Sequence, residues 1–149
     1  MNPFTGALHH VVRAIRPDVA LVHCQLVDDL GNCGFLGGAF LDIELAKAAS
    51  VCVVQAERSV AVLPPECTAV LPAYVVDAVC VLYGGAHPAS SHGQYSYDED
   101  HIRMYADLAR TDAGFERYSA DFIGDSESAY RRASRLPERL IELEMGPVR

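Results

Sequence analysis

Three side chains in two segments of the sequence have the chemistry expected of catalytic residues. Glu57 ends the apolar run "VCVVQAE", and His87 and His92 lie in "YGGAHPASSHGQYSYDED", residues 83–100. A histidine exchanges protons near neutral pH, and a carboxylate at a strand end in a cleft can act as a base or bind a ligand. Glu57 and His87 are therefore the candidate catalytic residues. No complete set of nucleophile, base and orienting group accompanies them.

The same segment has residues suited to binding a ligand. Gly84 and Gly85 let the backbone approach a ligand closely, and the side chains of His87 and His92 offer hydrogen bonds. The segment follows a predicted strand, and ligands of open α/β sheets bind beyond the carboxyl ends of the strands. A structural loop at a subunit interface is an equally good interpretation, with its histidines hydrogen-bonded inside the protein.

Glu57 has a simpler interpretation than catalysis. A carboxylate at this position can form an ion pair with Arg58 or Arg13, or be solvated, and this is the favoured interpretation. The sequence offers no reason to call Glu57 a nucleophile.

His23 and Gln25 are two residues apart in the run "VALVHCQ", so on a strand their side chains point to the same face. Gln25, at the carboxyl end of this run, is a candidate ligand contact. His23 is expected to be a hydrogen-bonded core residue, because buried polar side chains are almost always paired.

No metal site or disulfide is expected. His9 and His10 are adjacent, so their side chains point apart on a strand, and no cluster of carboxylates or cysteines is near them in sequence. The five cysteines include no CxxC pair. Cys24, Cys52 and Cys80 lie in apolar runs, where a free thiol behaves as a small hydrophobic group.

An α/β architecture is predicted to position these residues. "VALVHCQ" predicts a strand from Val19 to Gln25 that is buried on both faces, and Gly31-Asn32 predicts a hairpin turn after it. "LDIELAKAAS" predicts a helix, and "VCVVQAE", "TAVLP" and "VVDAVCVLY" predict further strands. Strand, helix and strand at these spacings predict an open, mostly parallel sheet, with residues 1–95 as the α/β core.

The sequence after residue 95 predicts helices. Ser96 and Glu99 have the spacing of a capping box, and apolar residues recur at helical spacing in the two stretches that follow. The last stretch is charged, with a narrow leucine stripe that Pro137 interrupts. Residues 96–149 are therefore predicted to be a helical extension of a single domain, residues 1–149.

Composition excludes some classes of partner. The formal net charge of −8 leaves no basic patch to bind a phosphate backbone or an anionic lipid, so no nucleic acid and no membrane is expected. No apolar run approaches the roughly 18 residues that can cross a bilayer, and the first residues lack the pattern of a secretory signal. A cytoplasmic protein is expected.

Six pieces occur in the order "NPFTG", "IRPDVALVHCQLVDDLGN", "LDIELAKAAS", "VVQAERSV", "VDAV" and "YGGAHPASSHGQYSYDEDH". Together they resemble the α subunit of family I CoA-transferases, in particular the glutaconate CoA-transferase type and its relatives that act on ring-derived acyl-CoA esters. The resemblance covers residues 2–123 and corresponds to the second half of that subunit. In that family's α subunit, a Gly-Gly-Phe-type loop lies in the first half, before the segment that corresponds to "NPFTG".

The resemblance implies an open α/β fold and a CoA ester as substrate, with coenzyme A as co-substrate and no permanently bound cofactor. In this family a glutamate carboxylate attacks the thioester and carries CoA as a glutamyl thioester. In two-subunit members that glutamate lies on the β subunit, and no segment here matches its motif. Glu57 stands in the place of one glutamate of the family's Glu-Glu pair, and Ala56 replaces the other.

Competing functions follow from this resemblance. The first is a subunit that acts on acyl-CoA thioesters with a partner chain, by CoA transfer to a carboxylic acid or by CoA-ester hydrolysis or ring opening. The partner is expected to be a second CoA-transferase-like subunit or another copy of the chain. The alternative is a non-catalytic remnant that serves as a binding or assembly module. A stand-alone enzyme that uses His87, His92 or Glu57 ranks last.

Overall fold

The computed structural model describes residues 1–124 and 126–144, without the side chain of Pro137. Within these residues five strands occur: β1 (Val19–Asp28), β2 (Cys33–Phe35), β3 (Val51–Val60), β4 (Ala69–Leu71) and β5 (Ala78–Val81). They form one sheet in the order β4-β2-β1-β3-β5. The pairs β1–β3 and β3–β5 are parallel, and β2 is antiparallel to both β1 and β4. The predicted α/β class with an open sheet is confirmed, and the sheet is mixed.

One face of the sheet carries the hydrophobic core. Alternate residues of β1 and β3 point to this face, as the two-residue period of a strand requires. Helix α1 (Asp42–Ala48) lies between β2 and β3 in the chain and packs Ala46 and Ile43 against the core. The buried strand residues of this layer are Ala20, Val22, Cys24, Cys52, Val54 and Ala56.

The opposite face of the sheet is apolar and uncovered at its amino end. Val19 is 52% exposed, Leu21 81% and Val51 40%. Ala78 and Cys80, which pair in register with residues on this face of β3, are exposed as well. The prediction that the first strand is buried on both faces is therefore wrong, because no described residue packs over this part of the sheet.

The turn between β1 and β2 forms the predicted hairpin. The Asp28 carboxylate accepts hydrogen bonds from the backbone N–H groups of Leu30 and Asn32, at 3.0 and 2.8 Å. Gly31 has φ +86°, a conformation that favours glycine. β1 continues to Asp28, where it pairs with Val60 of β3, three residues beyond the predicted end.

The helical extension is confirmed over its described residues; residues 125 and 145–149 lie outside the description. Its elements are α2 (Glu99–Leu108), α3 (Asp112–Tyr118) with a following π-helical turn (Ser119–Ile123), α4 (Glu127–Ala133) and α5 (Leu136–Leu143). Among the described helices, none has the length and hydropathy needed to cross a membrane.

Two details of the extension differ from prediction. Asp98, not Ser96, caps α2, because its side chain accepts a 3.1 Å hydrogen bond from the N–H of His101. The last predicted helix is divided in two at Arg135, which has φ +51°. This break lets the leucine stripe of α5 turn inward, and Leu136 and Leu140 pack on Tyr95 in a second hydrophobic cluster.

Candidate functional site

The uncovered face of the sheet becomes polar toward the carboxyl ends of β1 and β3. His23 of β1 lies opposite Gln55 of β3 in the parallel register. Glu57 is two residues beyond Gln55 and so points to the same face. Gln25 stands two residues beyond His23. The register therefore places four polar side chains side by side at the sheet edge where α/β proteins bind ligands.

The Glu57 carboxylate is buried and receives three hydrogen bonds. Its side chain is 0% exposed, and His23 Nε2 lies 2.8 Å from Oε1. Tyr95 donates its hydroxyl to the same oxygen at 2.6 Å, and the backbone N–H of Gly84 donates to Oε2 at 2.7 Å. The Tyr95 hydroxyl in turn accepts the N–H of Ala86 at 3.0 Å. The carboxylate thus joins β1, β3 and the loop between β5 and α2 that contains Gly84 and Gly85, called the glycine-rich loop below.

These hydrogen bonds keep the carboxylate ionised. Burial by itself would raise the pKa of Glu57, but the hydrogen bonds from His23, Tyr95 and Gly84 outweigh burial and leave the pKa below its ordinary value. Burial and the neighbouring carboxylate raise the pKa of Tyr95, so its hydroxyl stays protonated and continues to donate. A fixed negative charge therefore lies directly beneath His23.

A cavity of about 530 Å³ opens above this charge. His23, Gln25 and His92 line it, together with Phe35 and Phe40. The His23 side chain is 31% exposed, whereas its partner Glu57 is fully enclosed. The cavity therefore meets the imidazole and not the carboxylate.

Two glycines are required by close packing around the site. A Cβ at Gly37 would lie 2.9 Å from the ring of His92, and a Cβ at Gly85 would overlap the Gln55 amide. That amide donates to the carbonyl of Leu82 at 2.8 Å. Gly85 thus allows the loop to pass directly over β3, which is a packing role.

His87 lies in a separate, closed cluster between the glycine-rich loop and the helical extension. Its Nδ1 is 2.6 Å from the hydroxyl of Tyr130, and its Nε2 is 3.2 Å from Asp98. Arg139 binds both oxygens of Asp98, at 2.7 and 2.8 Å. The His87 side chain is 0% exposed, so it faces the helices and not the cavity.

The structure brings only some of the predicted site residues together. Gln25 and His92 line the cavity, and the Gln25 amide oxygen also accepts the N–H of Leu36 at 2.9 Å. Gly84 contributes its backbone N–H to Glu57. The roles of Gln25, His92, Gly84, Gly85 and His87 in binding CoA, and of Glu57 and His87 in catalysis, stay predictions.

The expected ion pair of Glu57 with Arg58 or Arg13, or its solvation, is wrong. Glu57 pairs with His23 instead, and Arg58 points to the other side of the strand and is exposed. His23 is hydrogen-bonded as predicted, although it is half-buried and not a core residue. Sequence reasoning missed Tyr95, whose only signal was its place among the tyrosines of the glycine-rich segment.

The described residues contain no group of three or more histidine, cysteine or acidic side chains placed to hold a metal ion. All five cysteines are free, and Cys80 is exposed on β5, unlike the buried Cys24 and Cys52.

The chain is similar in sequence and in fold to subunits of known enzymes. No protein-family model matches the chain. The chain is 35% identical over 122 residues to the A-type subunit of 3-oxoadipate CoA-transferase from Pseudomonas knackmussii, a match that covers 81% of this chain and 43% of the relative. It is 31% identical over 127 residues to the cholesterol ring-cleaving hydrolase IpdA subunit of Mycobacterium tuberculosis, covering 80% of this chain and 43% of that one.

Sequence and structure agree for a third relative. The A-type subunit of glutaconate CoA-transferase from Acidaminococcus fermentans is 28% identical over an alignment of 151 residues, covering 98% of this chain and 47% of the relative. The crystal structure of glutaconate coenzyme A-transferase from the same organism matches with a TM-score of 0.77, over 87% of this chain and 42% of that one. The chain spans a little less than half the length of the curated relatives it matches.

Proposed function

We propose that this chain is part of an enzyme that acts on acyl-CoA thioesters together with another polypeptide. Most of the chain is homologous to the A-type subunit of CoA-transferases, of which it spans less than half. Three relatives are named as subunits, two of transferases and one of a hydrolase. The reaction is CoA transfer to a carboxylic acid, or CoA-ester hydrolysis or ring opening. Coenzyme A takes part as a substrate.

The observation that carries the proposal is the continuity between the uncovered apolar surface and the cavity. Val19, Leu21 and Val51 are exposed on the same sheet face that presents His23 and Gln55 further along the strands. Parallel strands are normally covered on both faces. A polypeptide that covers the apolar part of this face would therefore reach the wall of the cavity.

Covering this surface is favourable in free energy. Full burial of one valine or leucine side chain contributes about 1.5–3 kcal/mol, and at least three such side chains are exposed together. Such a patch beside a polar cavity is typical of an interaction surface. The partner supplies the second wall of the site and, for CoA transfer, the nucleophilic glutamate, which has no assigned position in this chain.

Within this arrangement, Gln25 and His92 bind the thioester substrate from the cavity wall. Gly84 and Gly85 keep the loop close to the sheet and hold Glu57 in place. The protein acts in the cytoplasm, where acyl-CoA thioesters are available.

The test combines mass spectrometry with a surface variant. The purified chain is incubated alone and with the proteins encoded beside it, with a panel of free carboxylic acids and CoA thioesters that includes those of glutaconate and 3-oxoadipate. CoA exchange or hydrolysis is expected only with a partner. Turnover by the chain alone, or none in any combination, contradicts the proposal.

Leu21→Asp and Leu30→Asp form a matched pair for the same experiment, because the two leucines are 81% and 79% exposed and only Leu21 lies on the apolar sheet face. Leu21→Asp is expected to abolish both association with the partner and turnover. Leu30→Asp, in the β1–β2 turn, is expected to leave both unchanged. Equal effects of the two variants would exclude the sheet face as the interface.

The alternative is a binding or assembly module without chemistry of its own. The one buried glutamate at the site favours it, since Glu57 is enclosed by three donors and is not presented to the cavity. A partner complex that binds CoA thioesters without converting them would support this alternative.

A further inference from the structure

The His23–Glu57 pair has the arrangement of a proton acceptor and its positioning group. Glu57 is ionised and accepts, so the ring nitrogen that faces it, Nε2, carries a hydrogen. In a neutral imidazole the other nitrogen, Nδ1, then has a free lone pair. Within the part of the chain that the structure describes, Nδ1 makes no hydrogen bond. The imidazole lines the cavity, so this lone pair is available to a bound molecule.

The carboxylate is itself held in one orientation. Tyr95 and the N–H of Gly84 bind its two oxygens at 2.6 and 2.7 Å, and the Tyr95 hydroxyl is fixed by the N–H of Ala86. Glu57 therefore cannot rotate away from His23 without losing other hydrogen bonds. A buried carboxylate that fixes the tautomer of an imidazole is a device that enzymes use to prepare a general base.

The pair also distinguishes CoA transfer from CoA-ester hydrolysis. In CoA transfer the attacking group is a carboxylate, which is already ionised and has no proton to lose. In hydrolysis the attacking group is water, which must lose a proton as it adds to the carbonyl carbon. A histidine with a free nitrogen on the cavity wall serves the second reaction and is unnecessary for the first.

We propose, resting on the proposed thioester function, that His23 is the general base for hydrolysis of a CoA thioester in this cavity, with Glu57 as its positioning residue. Nδ1 of His23 takes a proton from water while the water oxygen bonds to the thioester carbonyl carbon. The carbon–sulfur bond then breaks, and the departing CoA thiolate accepts that proton from Nδ1. The products are a carboxylic acid and free CoA, and no other reactant is consumed.

The first test is the tautomer of His23, which needs no substrate. Long-range ¹H–¹⁵N NMR of the full chain at about pH 8, where an ordinary histidine is neutral, identifies the protonated ring nitrogen. His23→Gln assigns the signal. The Nε2–H form is expected in the wild type, and Glu57→Gln is expected to shift the population toward Nδ1–H because an amide can donate to Nε2. The Nδ1–H form in the wild type overturns the inference, whether or not Glu57→Gln folds.

The second test is turnover in ¹⁸O-labelled water, with the partner and thioester found by mass spectrometry. The released acid is expected to contain one ¹⁸O atom, and His23→Gln is expected to lower its formation about 10²–10⁴-fold with little change in the Kd for CoA. His10→Gln, in the exposed amino-terminal segment, is the control and is expected to act as the wild type.

The two proposals fail in different ways. Turnover that places no ¹⁸O in the acid, or that survives His23→Gln within about threefold, overturns the general-base assignment and leaves the thioester function standing. Absence of turnover on every thioester contradicts the thioester function and the general base together.

Discussion

The glycine-rich loop contacts two histidine–carboxylate pairs, His23–Glu57 and His87–Asp98, in which different members are exposed. In the first pair, His23 is 31% exposed on the cavity and Glu57 is fully buried. In the second pair, His87 is fully buried and Asp98 is 5% exposed. Both pairs join a histidine to a carboxylate, but only the first leaves a ring nitrogen open to a ligand.

The difference lies in what surrounds each pair. Both ring nitrogens of His87 have partners, Tyr130 and Asp98, and Arg139 neutralises the Asp98 carboxylate from α5. The guanidinium of Arg139 lowers the pKa of Asp98, and burial lowers the pKa of His87. The second pair therefore attaches the helical extension to the loop, whereas the first is prepared for chemistry. Exposure of the imidazole, and not the presence of the pair, distinguishes a site from a structural contact.

The largest predicted loss of stability comes from a substitution in the His23–Glu57 pair. Glu57→Ala leaves the buried donors of Tyr95 and Gly84 without an acceptor and also removes the partner of His23, so the free energy of unfolding should fall by about 3–5 kcal/mol. Urea denaturation measures the change. The control is Glu116→Ala, an exposed glutamate within α3, which should change stability by less than about 0.5 kcal/mol. Similar values for the two variants would show that Glu57 is not held by these three donors.

A somewhat smaller loss of stability is expected in the second hydrophobic cluster, where α5 of the helical extension packs on Tyr95. Leu140→Ala removes a side chain that is 3% exposed, and should lower the free energy of unfolding by about 2–4 kcal/mol. Its neighbour Ile141 is 73% exposed, so Ile141→Ala is the control, with little expected change. If the order of the two variants were reversed, α5 would pack on the protein through its other face.

The two histidines themselves give the sharpest comparison. His87→Ala removes a fully buried ring and with it one hydrogen-bond partner each of the Tyr130 hydroxyl and the Asp98 carboxylate, so it should lower the free energy of unfolding by roughly 2–3 kcal/mol. His23→Ala should cost about 1 kcal/mol, because water can enter from the cavity and bind Glu57. Thermal and urea denaturation measure both. A larger loss of stability for His23→Ala would reverse the assignment of open and closed pairs.

The smallest effect is the dependence of stability on pH. Burial lowers the pKa of His87 and of His101 below the ordinary value of 6.5, so the unfolded chain binds more protons than the folded chain as the pH falls below 6.5. Stability should therefore decrease on acidification from that point. The lowered pKa of Glu57 adds a second decrease below pH 4.5. Urea denaturation at a series of pH values measures the slope, which His87→Ala should reduce.

Local structure could largely be predicted from the sequence, because it depends on patterns between near neighbours. The presence of β1, the turn at Gly31 and the helix α1 all follow from residues that are close in sequence, whereas the exposure of one face of β1 does not. The favoured partner of Glu57 was wrong for a local reason, since Arg58 is adjacent and adjacent residues of a strand point to opposite faces.

The site could be predicted only in part, because its contacts join distant residues. Glu57 meets Tyr95 and His23 across the sheet, and Asp98 meets Arg139 of α5. Neither the pairing of strands nor the return of α5 onto the loop is visible as a pattern in one sequence. His87 therefore had the same interpretation as His92, although the extension covers the first and leaves the second on the cavity.

The most direct test of the difference between the two pairs is the histidine NMR spectrum of the chain, with its partner, during addition of the CoA thioester panel. At least one thioester is predicted to shift the ring resonances of His23, while those of His87 stay unchanged. Resonances of His87 that move while those of His23 stay unchanged, or no response to any thioester, would contradict the assignment of an open and a closed pair.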